Sequence, residues 1–397
     1  MIFSLKKRIE ISYRGANILI GFLISTLILG TLLFLGCFGL LGLPSFAHAK
    51  GLWIPLGIVI FLFELIVFWD GILRIYLTSV QLGLKLRILG AIFGLIIPIN
   101  IILLIYMIHI VRAEYRFEMK KIKLNEERAD EQICKTKYPI LMIHGVFFRD
   151  FKHFNYWGRI PDELEKNGAK VFYGNQQSAE SVVDSGKKIA EKIREICASE
   201  GCDKVNIIAH SKGGLESRWA ISMEGMAPHV ASLTTINTPH RGVHYAAHLL
   251  SKIPEKRQFH IARIYNRIFK EIGDPAPDFL ASVKDLTVEA CERFNEKVKD
   301  SPLVFYQSVG SKLNRRRGGQ FPLNITYPMV KKYDGINDGL VGKDSFPWGE
   351  RFQFIEKKCR RGITHGDMID LNRKNIKGFD VREFYVQLVK ELKNKGF

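Results

Sequence analysis

Paired cysteines are missing from this chain. Its six cysteines include no Cys-x-x-Cys pair, and Cys37 lies inside an apolar run. That excludes a disulfide-stapled framework and the common zinc clusters. Cys197 and Cys202 are near enough in sequence to pair across a turn, and suit two free buried thiols equally well. Acidic residues are scarce beside basic ones: 40 Asp and Glu against 58 Lys and Arg, a formal charge of +18. A surface of that sign suits nucleic acid, an acidic substrate or the anionic face of a membrane. The run Arg315-Arg316-Arg317 reads as a solvated basic loop, so no nucleic-acid partner is expected. Internal repeats and low-complexity tracts are also absent. A composition of 47% hydrophobic and 25% charged residues excludes a disordered or collagen-like chain.

Apolar length near the N-terminus is what the chain has in abundance. The mean hydropathy of +0.02 averages an intensely apolar segment with an ordinary globular remainder. Residues 17–43, 51–69 and 88–111 each approach or exceed the roughly 20 apolar residues that cross a hydrocarbon core. Three adjacent helices, apolar all round, suit a membrane better than a soluble core. The first stretch is longer than the apolar core of a signal peptide, and further spans follow it. Residues 1–111 are therefore expected to form a membrane region with three transmembrane helices. Glu64 interrupts the second stretch, and Pro98 and Asn100 the third. Between these two stretches, Ile72–Leu86 carries Arg74, Gln81 and Lys85 and suits an interfacial helix or a tight return.

Residues 112–137 are charged and contain neither Pro nor Gly. They read as a helix-favouring linker. Lys6, Lys7, Arg8 and Arg14 before the first span place the N-terminus in the cytoplasm, and three crossings then place the rest outside. Arg112, Arg116, Lys120, Lys121 and Lys123 pull the other way. The expectation is an integral protein of a bacterial cell membrane with its globular domain extracytoplasmic.

From Tyr138 the texture alternates. Short apolar runs at Ile140–Ile143, Ala169–Tyr173, Lys204–Ile208, Val230–Ile236 and Leu303–Val309 are separated by helical patterns such as Asp184–Ile196. Strand–helix alternation predicts an α/β fold, a parallel sheet with helices on its faces. In such a sheet, ligands bind beyond the carboxyl ends of the strands.

One strand runs into such an end as 205-VNIIAHSKGG-214. A serine on a sharp strand-to-helix turn needs small residues two places before and after it. Ala209 and Gly213 meet that need around Ser211. The helix N-terminus beneath the serine favours negative charge. An earlier strand runs into His144-Gly145-Val146-Phe147, a turn able to turn a backbone N–H toward an oxyanion. The N–H of Lys212 is the second donor. His144 is read as holding its loop and His210 as a packing residue.

A serine nucleophile needs a histidine base and a carboxylate that orients it, in the chain order Ser, acid, His for this fold class. His229, His240, His244, His248 and His260 come too early or lie in a helical insertion, which leaves His365 on a short loop. For the acid, Asp334, Asp338 and Asp344 are all available in 333-YDGINDGLVGKD-344.

The stretches HGVF, FNYWG (154–158), AHSKGG, NTPHRG (237–242), NDGLV (337–341) and the His365-x-Asp367 pair resemble the bacterial triacylglycerol lipases of the α/β-hydrolase fold. The resemblance covers about residues 138–395, in the family's order. It implies an α/β-hydrolase domain over 138–397, with Ser211 as nucleophile, Asp338 as acid and His365 as base. It also implies the N–H groups of Val146 and Lys212 as oxyanion hole. A lid over about 243–299 would carry apolar Ile253, Phe259 and Ile264 beside basic Arg257 and Arg263. Some members bind calcium through an aspartate matching Asp367, but their glutamine ligand is replaced here by Leu371. No cofactor and no zinc set is therefore expected. Ala209 and Lys212 also depart from the family pattern, and membrane spans are foreign to it. The implied activity is hydrolysis of acylglycerol or related lipid esters at a membrane. The rivals are acyl transfer through the same triad, and a catalytically silent membrane-bound interaction protein. No obligate protein partner is expected.

Overall fold

The computed structural model describes residues 4–146, 156–177, 179–246, 277–358 and 360–397, with isolated positions between 248 and 270. The chain forms two compact units, Met1–Glu127 and Arg128–Phe397.

The first unit is all α. Helix α1 (Leu5–Cys37) starts earlier than the apolar stretch alone suggests, with the Ser4 hydroxyl capping its first turn. Helix α2 (Lys50–Thr78) runs antiparallel to α1: Gly15 lies beside Gly71 and Arg74, and Gly36 beside Trp53. A Cβ on Gly71 would sit 2.6 Å from Leu19 Cγ, so small residues let the two helices approach closely. Glu64, the odd charge in its apolar run, accepts a 2.8 Å hydrogen bond from Thr26 Oγ1. Leu27, Phe61 and Ile66 are more than half exposed on the outside of the pair.

Ile72–Leu86 makes a tight return. Helix α2 continues to Thr78, and α3 (Gly83–Phe93) begins four residues after Ser79. The expected single span over 88–111 is instead divided between α3 and α4 (Ile99–Glu127). Pro98 lacks the N–H that an unbroken helix would use, and it crowds the preceding turn. The charged residues after 111 simply prolong α4 to Glu127, since nothing in them breaks a helix.

The second unit is built on a six-stranded parallel sheet of order β2-β1-β3-β4-β5-β6. The strands are β1 (Ile140–Ile143), β2 (Val171–Tyr173), β3 (Val205–His210), β4 (Val230–Ile236), β5 (Phe305–Ser311) and β6 (Arg351–Ile355). Helix α5 (Ile160–Lys166) precedes β2, α6 (Val182–Glu200) precedes β3, and α7 (Gly213–Met223) follows it. The α6 ends are coded locally. Ser181 Oγ accepts from Asp184 N at the start, and Gly201 takes the left-handed conformation at the end.

Both faces of the sheet are covered, which is why its inner strands are buried on both sides and mostly apolar or β-branched, with the buried pair Asn206 and Ser232 hydrogen-bonded to each other. Ile140, Met142, Ile208 and Val309 share one buried cluster with Tyr385, Val386 and Val389 of the helix Val381–Asn394. Leu141, Ile143, Ile207 and Ala209 share another with Ile189 and Ile193 of α6 and Ala220 of α7. Burying each such side chain contributes about 1.5–3 kcal/mol. Strand β6 escapes a sequence reading. Its RFQFI stretch lies at the sheet edge, alternates exposed with half-buried residues, and holds Arg and Gln.

Candidate active site

The carboxyl ends of β1, β3, β4 and β5 open onto one set of loops. Strand β3 ends at His210, and Ser211 takes φ +56°, a left-handed conformation rare for a residue with a side chain. Its N–H is tied to Ile236 O at 2.9 Å. Helix α7 starts two residues later. A Cβ on Gly213 would lie 2.5 Å from His144 O, and one on Gly145 would lie 2.8 Å from Ser211 Cβ. Close approach thus requires glycine at 213, in line with the small-residue pattern, and also at 145 on the facing loop.

Val146 follows Gly145, and Lys212 precedes α7. Among the described residues neither N–H has a hydrogen-bond partner. The Lys212 side chain is fully buried, and its ammonium is taken by Glu216 and by Glu180 O. Its charge is matched there, and Gln176 Nε2 donates to the other Glu216 oxygen at 3.0 Å.

Asp338 and His365 meet. His365 Nδ1 donates to Asp338 Oδ2 at 2.6 Å, and His365 N to Asp338 O at 3.0 Å. The buried carboxylate has three further donors. Asn237 Nδ2 reaches Oδ2 at 2.7 Å, while Leu340 N and Val341 N reach Oδ1 at 2.9 and 2.8 Å. Four donors hold an anion in place and fix the Nδ1–H tautomer of His365. Asp334 is engaged elsewhere, with His244 Nδ1 at 2.9 Å. Ser211 Oγ and His365 Nε2 have no hydrogen-bond partner among the described residues.

His210 does more than pack. Tyr156 Oη donates to its Nδ1 at 2.7 Å, so its Nε2 carries the proton and donates to His365 O at 3.2 Å. The two imidazole centroids are 4.4 Å apart. Burial, then the neighbouring His365, hold the His210 pKa well below its ordinary value, so the ring stays neutral. His144 is completely buried and bonds Gly145 O and Gln176 O, holding its loop as expected.

Sequence reasoning overlooked Asn237. It has φ +50° at the end of β4, and its side-chain amide bridges Asp338 and Ser311. The NTPHRG stretch was the signal available. Arg361 was overlooked too: its guanidinium holds Asp367, with Nη1 2.7 Å from Oδ2 and Nη2 2.8 Å from Oδ1. Thr364 N adds a 2.8 Å bond to the same carboxylate. Asp367 is therefore already neutralised, and with Leu371 in place of a glutamine these residues do not fit a calcium ion. Among the described residues no cluster of three acidic, His or Cys side chains could hold a metal. Of the expected lid, Ile253 and Phe259 lie outside the described residues. Ile264 is exposed.

A parallel sheet carrying a strained serine between β3 and α7, with acid and histidine on later loops, is the α/β-hydrolase fold. The comparisons agree. A profile of the palmitoyl protein thioesterase family matches residues 139–277. A triacylglycerol lipase of Burkholderia plantarii is 38% identical over 125 residues, covering 30% of this chain and 34% of that protein. One from Pseudarthrobacter phenanthrenivorans is 40% identical over 118 residues, 28% of this chain and 36% of that protein. This chain thus spans about a third of those relatives' length. A triacylglycerol lipase of Pseudomonas fragi is 27% identical over 295 residues, covering 66% of this chain and 98% of the relative. Among solved structures, a Staphylococcus hyicus lipase superposes with a TM-score of 0.51 at 17% identity, covering 66% of this chain and 98% of that one. A metagenomic carboxyl esterase also gives 0.51, at 12% identity, covering 65% and 76%. The resemblance to triacylglycerol lipases read from the motifs is borne out.

Proposed function

We propose that this protein is a membrane-anchored serine hydrolase that cleaves acylglycerols or related lipid esters. The observation that carries the reading is the buried, four-donor Asp338 bonded to His365, beside a strained serine whose loop closes on Gly145. Ser211 Oγ attacks the ester carbonyl while His365 Nε2 takes its proton. The oxygen of the tetrahedral adduct accepts from the N–H groups of Val146 and Lys212. Collapse releases the alcohol, which takes the proton from His365 and leaves an acyl-enzyme. Water then repeats the sequence and frees the fatty acid. Asp338 keeps His365 in the needed tautomer and stabilises the imidazolium.

The apolar helices α1 and α2 are long enough to cross a bilayer, and their outer faces are apolar and exposed. They support anchoring in a membrane, in keeping with a lipid substrate and most simply that of a bacterial cell. The thioesterase profile over residues 139–277 supports a second substrate, an acyl thioester, through the same acyl-enzyme. Acyl transfer to an alcohol would differ only in the acceptor.

A fluorophosphonate probe on the full-length chain tests the nucleophile. Labelling of Ser211, lost in Ser211→Ala, is expected. An unlabelled wild-type chain would point to a silent, partner-binding protein. A panel of acylglycerols, phospholipids and acyl thioesters then separates the substrates.

A further inference from the structure

We infer that the first unit crosses the membrane only twice and that α3 and α4 form a half-depth hairpin. The catalytic unit then lies on the same side as the N-terminus, the cytoplasmic side. This rests on the membrane anchoring proposed above. It replaces the three-crossing arrangement that hydropathy alone suggests.

One buried carboxylate carries the argument. Glu114, in α4, accepts from Ser79 Oγ at 2.6 Å, from Val80 N at 3.2 Å and from Gln81 N at 3.3 Å. It also accepts from Arg8 Nη1 at 3.2 Å. Arg8 reaches Thr78 O as well. The start of α1, the turn between α2 and α3, and the outgoing part of α4 are therefore held at one level. Tyr13 stacks on Tyr115 at 4.0 Å, and Lys6 lies 3.7 Å from Glu126, so α4 leaves beside the beginning of α1. A chain that enters beside α1 as α3 and leaves beside α1 as α4 has not changed sides.

The limbs are also too short to cross. The apolar part of α4, Ile99–Val111, is about 20 Å long at 1.5 Å per residue, against about 30 Å of hydrocarbon. Met107 and Leu104 share a buried cluster with Ala16 and Leu19, and packing against it reaches along α1 to Leu23. Helix α1 runs on to Cys37, about 20 Å further by the same rise.

The hairpin tip fits hydrocarbon. It reads Gly94-Leu95-Ile96-Ile97-Pro98 and has no charge, and Leu95 is 95% exposed. Asn100 Nδ2 donates to Gly94 O at 3.2 Å, which satisfies a carbonyl that the broken helix leaves open. This accounts for Pro98 and Asn100 within an apolar stretch.

Charge fixes the side. Arg8 and Arg14 at the start of α1, Lys85 and Arg87 at the start of α3, and Arg112 and Arg116 on the outgoing α4 all fall at the Glu114 end. At the opposite end, the loop between α1 and α2 has no Lys or Arg, and Lys50 opens α2. Lys and Arg near spans remain cytoplasmic. Two crossings satisfy every group, where three set the α4 residues against the rest. The substrate then comes from the cytoplasmic leaflet.

The test uses the full-length chain in bacterial cells, on material retained in membranes after an alkaline carbonate wash. Loss of the chain in the wash would count against anchoring itself, independently of topology. One epitope tag follows His48 and another follows Phe397. In intact cells, antibody should reach the first and not the second, which becomes accessible only after permeabilisation. A Leu95→Cys variant should take no more impermeant maleimide than the native chain, in right-side-out or inverted vesicles. Exposure of the Phe397 tag in intact cells overturns the inference, as does a hidden His48 tag. Labelling of Leu95→Cys from outside replaces the hairpin with two full crossings.

Discussion

Arg361 grips the carboxylate of Asp367 with two parallel bonds, 2.7 and 2.8 Å long, two residues beyond His365. Asp367 is also bonded by Thr364 N, so the pair braces the loop that presents the imidazole. The guanidinium already supplies the positive charge that this carboxylate pairs with. Hydrolysis of a soluble nitrophenyl ester should therefore be unchanged by EDTA. A tenfold loss reversed by calcium would refute this. Arg361→Ala should lower stability by about 2–3 kcal/mol, less than for a fully buried pair because Arg361 is partly exposed. Thermal melting would show it.

Ser211→Ala should abolish ester hydrolysis while circular dichroism and melting stay close to wild type. Loss of a nucleophile of this kind costs about 10⁴–10⁶ in turnover. A variant keeping more than about a tenth of the activity would exclude Ser211 as nucleophile.

Asp338→Asn should cost about 10⁴ in kcat, because the amide favours the wrong tautomer of His365. Asp334→Asn should cost far less, since that carboxylate serves His244. The reverse ranking in steady-state assays would transfer the acid role to Asp334.

Asn237→Ala removes one of four donors to Asp338, a bond to a charged acceptor of about 1.5–3 kcal/mol. If that loss falls on the transition state, kcat drops roughly 10–100-fold with KM little changed. The acidic limb of the pH–rate profile should move as well. A change confined to the melting temperature would reduce Asn237 to a structural role.

Acid should destabilise the fold through His210 and His240. Burial is the largest cause of the lowered pKa in both; His365 adds to it at His210, and Arg218 and Arg241 add to it at His240. Below about pH 6.5 the unfolded chain binds protons at both rings and the folded chain does not. Their contribution is thus complete above that pH and declines as pH falls toward the folded values. The slope is about 1.4 kcal/mol per pH unit for each ring. Melts at pH 7 and pH 5 should show it, and His210→Gln should flatten it.

Much of this was legible in the chain itself. A parallel sheet with two covered faces favours short runs rich in apolar and β-branched residues, and such runs appear at Ile140–Ile143 and Val230–Ile236. The turn at Ser211 demands small neighbours, so Ala209 and Gly213 betray it. Asp338 could not be separated from Asp334 and Asp344 by composition, because any of them can sit in a turn. Only the folded loops bring one of them to His365. Asn237 and Arg361 act on partners 101 and 6 residues away; the NTPHRG stretch flags the neighbourhood of Asn237, but only the fold shows which carboxylate each side chain serves. Hydropathy measures how apolar a stretch is, not whether it continues straight. Pro98 marks the division of 88–111 into two helices, but that both ends return to one level follows only from Glu114, which gathers Arg8 and Ser79 there. Local chemistry is written in the order of residues, whereas contacts across the chain exist only once it has folded.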